Sequence, residues 1–205
     1  MNLKKRLNQT NEELRMPHTD PALLKIMGEK ITSWLPRFPH EYVVVCIGTD
    51  RSTGDALGPM TGTILSKMKP RHITVYGTLH EPVHATNLMD YTNLIKEKHR
   101  NAYIIAIDAC LGQTSSVGHL ITGLGPIKPG AALNKTLPSI GNMHITGVVN
   151  ISGFMEFSVL QNTRLSIVMD MSEIIAGLLN NIDQRLKHHY PTPAIVIQRE
   201  AQKGM

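Results

Sequence analysis

Two aspartates, Asp55 and Asp108, follow strongly apolar segments and are the leading candidates for acid–base chemistry. Asp108 comes directly after the run Tyr103–Ile107, and Asp55 lies in the polar, glycine-bearing loop 48–58 that follows the run Tyr42–Ile47. A carboxylate placed against a buried strand loses hydration, which raises its pKa and suits it to proton transfer or ligand binding. The alternatives are local: a loop aspartate can cap the next helix, and Asp108 can bond to its own turn.

Histidines near the same predicted edge could complete such a site. His144 follows a glycine- and proline-rich connection and is predicted to begin a helix, from which it could face the two carboxylates. His80, Glu81 and His84 come at the end of the second predicted strand. Pro82 excludes a helical pair of zinc-binding histidines there, so this trio is a candidate for substrate binding rather than a metal motif.

The polar residues of the first loop are further candidates for substrate binding, namely Thr49, Asp50 and Thr53. Cys110 lies two residues after Asp108 and could be a nucleophile, but nothing in the sequence indicates an activated thiolate. A small core cysteine is the preferred interpretation for it, as for Cys46. Two cysteines form no disulfide framework, so a reduced, cytoplasmic compartment is expected.

The pattern of apolar residues predicts an α/β fold that would place these side chains together. Strands alternate with helices, which indicates right-handed βαβ units, a mostly parallel twisted sheet and helices on both faces, a three-layer α/β/α arrangement. Ligands bind such sheets beyond the carboxyl ends of the strands, which here selects loops 48–58, 77–86 and 108–116. Residues 1–19 are predicted to be a flexible arm, and residues 20–205 a single domain.

The predicted elements are helices at 21–35, 59–68, 86–99, 144–160 and 172–186, with strands at 42–47, 72–76, 103–107, 117–122, 165–169 and, at the edge, 194–197.

Composition excludes several classes of function. No apolar run reaches the ~18 residues that a membrane span needs, and no signal sequence is expected. Net charge is +5, but the cations are scattered and aromatic residues are only 4%, so nucleic-acid binding is not favoured. A homo-oligomer is left open.

Several motifs resemble two protease families. Loop 48–58, with Gly48 and Asp55 seven residues apart, resembles the first motif of hydrogenase maturation proteases. Its Asp-Ala-Leu-Gly-Pro ending is closer to the spore germination protease, and Ile107-Asp108-Ala109 is similar to the second acidic motif of both families. Residues 127–135 resemble a stretch of the germination protease, and 143–147 the histidine motif of the hydrogenase enzymes. From about residue 42 to 186 the chain resembles the YyaC-type sporulation proteins.

This resemblance implies a phosphorylase/hydrolase-like fold of the kind found in hydrogenase maturation proteases. It also implies a sporulation-associated endopeptidase activity on a protein substrate, located in the cytoplasm or the forespore. In the main hypothesis Asp55 and Asp108 share a proton and activate a water, with help from His144. A second hypothesis makes Asp55, Asp108 and His144 the ligands of a divalent metal, nickel or zinc. A third is a non-catalytic sporulation factor that binds a protein partner or a divalent metal through the same cleft.

Overall fold

The computed structural model describes residues 12–36, 41–129 and 138–186. Its strands are β1 (Glu13–Pro17), β2 (Tyr42–Cys46), β3 (Ile73–Tyr76), β4 (Tyr103–Gly112), β5 (His119–Leu124) and β6 (Met143–Ile151). They form a six-stranded sheet in the order β1-β5-β6-β4-β2-β3. Strands β3, β2, β4 and β6 are parallel to one another, whereas β5 pairs antiparallel with β6 and β1 antiparallel with β5.

Helices cover both faces of this sheet. They are α1 (Leu23–Trp34), α2 (Leu57–Lys67), α3 (Leu88–Lys98), α4 (Glu156–Gln161) and α5 (Leu165–Leu186). One apolar core lies between the sheet and helices α1, α2 and α5, and a second lies between the other face and α3. Every residue of β2 is buried, as expected of a strand covered on both faces. The prediction of a three-layer α/β/α fold is confirmed.

The predicted flexible arm is wrong for residues 13–17, which form β1 at the edge of the sheet. Apolar Leu14 and Met16 alternate with Glu13 and Arg15 in this strand. That period of two is typical of a strand, and the partner that satisfies its backbone is β5, about a hundred residues further along the chain. Residues 1–11 lie outside the described residues.

Two further predictions fail in the second half of the chain. The predicted helix 144–160 is instead strand β6, followed by the short helix α4. The β-branched residues of β6, such as Ile145 and Val149, pack well on a pleated sheet. The predicted strand 165–169 is the beginning of α5, which is therefore longer than the helix predicted from residue 172. The predicted edge strand 194–197 lies outside the described residues.

Helix α5 joins the first core to the edge of the sheet. Its Asp183 is buried and accepts hydrogen bonds from the backbone N–H groups of Arg71, His72 and Ile73, at distances from 2.7 to 3.1 Å. Within the described ranges, α5 is long and apolar enough to cross a membrane by length and composition alone. Because one face of α5 is buried in the first core, we interpret it as a core helix.

Candidate functional site

Two glycines of α2 allow its first turns to lie directly against the ends of β2 and β3. A Cβ atom at Gly58 would lie 2.1 Å from the carbonyl oxygen of Ile47, and one at Gly62 would lie 1.8 Å from that of Gly77. Any side chain at these positions would push the helix away from the sheet. This close approach places the 3-10 turn Gly54–Ala56, and with it Asp55, at the carboxyl end of β2.

The loop before α2 closes on itself through its backbone. The N–H group of Thr49 donates to the carbonyl oxygen of Asp55 at 3.1 Å, and the N–H of Gly48 donates to Val83 at 2.8 Å. Gly48 has φ of +144°, and a Cβ there would lie 1.9 Å from the Asp55 carbonyl. Among the residues that the structure describes, no side chain caps the 3-10 turn or α2. The capping role considered for Asp55 is therefore not the one that the structure shows.

Asp108 lies where the sheet changes width. Strand β2 ends at Cys46, opposite Ile107, whereas β4 continues to Gly112. Alternate residues of a strand form hydrogen bonds with the same neighbouring strand. The Ile107 carbonyl accepts a hydrogen bond from the N–H of Ile47, on the β2 side. The N–H of Ala109, two residues later, therefore also points toward the β2 side. Beyond the end of β2 this N–H donates to Oδ1 of Asp108 instead, at 2.9 Å. The predicted strand 103–107 is therefore too short, because Asp108 lies within the observed strand β4.

Burial gives the two carboxyl groups unusual acidities. The pKa of Asp108 is raised to about 8, mainly by desolvation. The hydrogen bond from the Ala109 N–H lowers this pKa, and the charge of Asp55 raises it further. The residue keeps some accessible surface, but protein surrounds the carboxyl group closely enough for desolvation to dominate. Burial also raises the pKa of Asp55, and the neighbouring Ser52 hydroxyl acts in the opposite direction. The 3-10 turn that carries Asp55 contacts β4, so the two carboxyl groups lie near each other at this edge of the sheet.

The contact between Ser52 and Asp55 is close but imperfect. The Ser52 side chain is 4% exposed, and among the described residues its hydroxyl has no hydrogen bond of acceptable geometry. We therefore treat it as a polar neighbour that partly compensates the burial of the carboxylate.

His144 belongs to β6 and is directed away from the carboxylates. It is opposite Gly123 of β5, where an added Cβ would lie 3.0 Å from Cε1 of the imidazole, so the ring lies over this glycine. Its Nδ1 is 3.0 Å from the carbonyl oxygen of Gly125. Among the described residues, no group of three or more His, Cys, Asp or Glu side chains could hold a metal ion. The set Asp55, Asp108 and His144 is therefore not assembled as metal ligands.

The predicted substrate-binding residues divide between two adjacent loops at this edge. Thr49 and Thr53 are partly buried beside Asp55, and Asp50 is exposed.

The second loop is held beside the first by the bridge between Ile47 and Val83. His80 is exposed there, whereas Glu81 is partly buried and its N–H donates to the Thr78 hydroxyl at 3.1 Å. The Nδ1 atom of His84 is 2.9 Å from the Thr86 hydroxyl. Their binding roles stay predictions.

A row of side chains extends from Asp108 across the neighbouring strands. Asp108 is opposite Thr146 on β6, which is opposite Ile121 on β5, which is opposite Arg15 on β1. Opposite residues project from the same face, so Arg15 and Asp108 are at the two ends of one row, separated by about 14 Å, three strand spacings.

A cleft of about 340 Å³ lies beside this row, and Arg15 and Ile121 of the row line it, whereas Asp108 and Thr146 do not. It is lined by Arg15, Cys110, Leu111, Gly112, Gln113, Ser116, Ile121, Val148 and Ser152. Arg15 donates to the Ser116 hydroxyl at 3.1 Å and lies 3.7 Å from the Glu13 carboxylate. Burial raises the pKa of the Cys110 thiol, so this residue is not an activated nucleophile. Cys110 is nevertheless at the wall of the cleft rather than in the core.

Arg15, Thr146 and Ser52 are the polar neighbours of the site that sequence reasoning missed. The alternation of residues 13–17 could have indicated that Arg15 belongs to a strand, but its partner strand is too distant in sequence to identify. Thr146 was assigned to a helix, which hid its position opposite Asp108.

The fold and the site define an α/β protein with a pair of partly buried carboxyl groups at the carboxyl edge of a mostly parallel sheet. The chain belongs to the family described as protein of unknown function (DUF1256), whose model matches residues 15–178. It is 48% identical over 187 residues to the uncharacterized protein YyaC of Bacillus subtilis (strain 168), covering 90% of this chain and 91% of that protein. A solved structure, the NiFe hydrogenase maturation protease HycI of Thermococcus kodakarensis KOD1, is similar with a TM-score of 0.48 and 14% identity, covering 71% of this chain and 93% of that one.

Proposed function

We propose that this protein is an endopeptidase that uses Asp55 and Asp108 as a base and an acid. The observation that supports this most directly is the enclosed Asp108 carboxyl, whose pKa of about 8 keeps it protonated at neutral pH beside a second carboxylate. Two carboxyl groups with different environments are the arrangement that acid–base hydrolysis needs.

In this mechanism Asp55 accepts a proton from a water molecule as the water attacks the carbonyl carbon of the peptide bond. Asp108 donates its proton to the nitrogen of the peptide bond as the C–N bond breaks, and the product leaves as an amine. The groups are then restored when the proton held by Asp55 passes back to Asp108. The more completely enclosed Asp108 is the acid, because the uncharged form is the one that burial favours.

The sporulation setting, the cytoplasmic or forespore location and the protein substrate are parts of the same proposal. They rest on the sequence motifs around Asp55 and Asp108 that resemble the spore germination protease. His144 has no step in this mechanism, because its ring lies over Gly123.

Purified full-chain protein tests the proposal when it is incubated with an unfolded protein such as β-casein and with extracts of sporulating cells. We expect Asp55→Ala and Asp108→Ala each to lower the cleavage rate at least a hundredfold, with Asp170→Ala, an exposed position on α5, as the control that retains activity. Unchanged cleavage in the Asp108 variant would exclude the acid–base pair. Partner binding without cleavage, unaffected in both variants, would favour the non-catalytic alternative.

A further inference from the structure

Four large apolar side chains are exposed around the turn that follows β6. They are Ile151, Phe154, Met155 and Phe157, which are 45%, 100%, 75% and 61% exposed; we call them the apolar tip. Exposed apolar surface of several hundred Å² is at the upper end for a soluble monomer and often marks an interaction site.

The backbone of the tip is anchored at both ends. The N–H of Ser152 donates to the Gly112 carbonyl at 2.7 Å, and the side-chain amide of Asn150 donates to the Val159 carbonyl at 3.2 Å. Met155 has φ of 65°, a left-handed conformation that is uncommon for a residue other than glycine. Such strain is concentrated at binding sites and active sites. The tip therefore presents its side chains on a defined backbone.

The tip lies between the two parts of the candidate site. Helix α4, which follows it, contacts the Asp55 turn: the Leu160 side chain would be 2.8 Å from a Cβ at Gly54. On the other side, Ser152 lines the cleft that begins beyond Asp108. A chain bound across the carboxylates would reach the tip.

The occupant of the tip could be a second copy of the chain, an anionic membrane or a peptide segment. The tip exposes about 500–600 Å² of apolar side chain, close to the apolar share of the ~800 Å² that each partner of a stable dimer buries, so area alone does not distinguish a second copy from a peptide. Glu156 is the sole charged residue between Ile151 and Thr163, whereas binding to anionic membranes relies on lysine and arginine. A short apolar peptide segment fits the charge, and the contact of α4 with the Asp55 turn places the tip where a substrate chain would pass.

We propose that the apolar tip binds an apolar segment of the protein substrate, adjacent to the peptide bond held by Asp55 and Asp108. The inference rests on the proposed function and adds the substrate class: proteins with an apolar, accessible segment beside the cleavage site.

Fluorescence anisotropy with the full chain tests this inference. The Asp108→Asn background prevents turnover, and the probe is a fluorescein-labelled peptide in which leucine and phenylalanine alternate with serine, compared with an all-serine peptide. We expect Phe154→Ser combined with Phe157→Ser to weaken binding of the apolar peptide about tenfold or more. The control is Met89→Ser, which removes an apolar side chain that is 54% exposed on α3 and is expected to leave binding unchanged.

Equal affinity in the double variant, or an equal loss in the Met89 variant, would overturn the inference, provided that urea unfolding curves show all variants folded. A wild-type dimer that the double variant abolishes in sedimentation would assign the tip to a second copy and overturn it. So would tip-dependent co-sedimentation with phosphatidylcholine–phosphatidylserine vesicles.

Two outcomes separate this inference from the proposed function. Tip-dependent binding without cleavage by the wild-type chain would overturn the peptidase proposal together with the substrate role of the tip. Cleavage that the two substitutions leave unchanged would overturn only the substrate role of the tip.

Discussion

At the scale of single residues, the position of Asp108 follows from a backbone requirement. Strand β2 stops opposite Ile107, and the Asp108 carboxyl accepts the N–H of Ala109 that would otherwise bond to a longer β2. The same enclosure raises the pKa of this carboxyl. A structural role and a candidate chemical role are therefore combined in one side chain.

We expect cleavage to decline as the pH rises through about 8, because Asp108 must carry a proton to act as the acid. The pH dependence of kcat/KM checks this directly. A profile that keeps rising well above this pH would contradict the assignment of Asp108 as the acid.

Stability should depend on pH through the same group. Between about pH 4 and 8 the folded state holds the Asp108 proton and the unfolded chain does not, so increasing pH destabilises the fold in this window. Asp108→Asn should remove this dependence and be more stable than wild type at pH 8.5 by on the order of 4 kcal/mol, with little difference at pH 4. Urea unfolding at both pH values is the measurement, with Asp50→Asn as the exposed control.

The positions of Asp55 and Asp108 at one edge of the sheet were predictable from the sequence because each follows a long apolar run, and their catalytic role stays a prediction. The direction of His144 was not predictable. The orientation of His144 depends on Gly123, twenty-one residues earlier, which leaves room for the ring on the neighbouring strand. No local pattern encodes such a cross-strand contact.

At the scale of elements, α2 sets the position of Asp55 by its closeness to the sheet. Gly58 and Gly62 are one turn apart on the face that contacts the ends of β2 and β3. Because the obstructing atoms are backbone carbonyls, the helix would have to move to accept a side chain.

Gly62→Ala should therefore lower the free energy of unfolding by about 2 kcal/mol or more and reduce cleavage by displacing Asp55. The matched control is Gly177→Ala in α5, where an added Cβ meets nothing within 4 Å. Better helix propensity should make that variant more stable by ~0.5–1 kcal/mol. Chemical denaturation compares the two; equal effects would show that packing at Gly62 is not tight.

Elements were predictable where the apolar pattern had one interpretation. The buried strand β2 and the helix α1, which ends before Pro36, fall into this group. At 143–169 the apolar residues fit both periods, and tertiary pairing of β6 with β4 and β5 decides between them. Strand β1 was not predictable, because five alternating residues form a strand only beside a partner, and its partner β5 is about a hundred residues away in sequence.

At the scale of the whole molecule, long-range contacts join the two ends of the described chain to opposite edges of the sheet. Strand β1 completes one edge, and Asp183 near the end of α5 holds the beginning of β3 at the other. The site lies between them, so its geometry depends on both edges.

Asp183→Ala should destabilise the protein by about 2–4 kcal/mol, because three backbone N–H groups lose their acceptor. Asp170→Ala, an exposed change on the same helix, should stay within about 0.5 kcal/mol of wild type. Thermal and urea unfolding distinguish the two. A small effect at Asp183 would mean that water replaces its carboxylate without loss.

The unequal lengths of β2 and β4 have a consequence for whatever the protein acts on. Beyond Ile47 the sheet has a ledge, where β4 continues to Gly112 after β2 has stopped. A chain that followed this ledge would have to be extended, as β2 is. Only a segment free of its own helix or sheet can adopt that shape. A compact target would therefore have to unravel locally before it reached Asp108, and the threshold for attack would depend on the target's own folding.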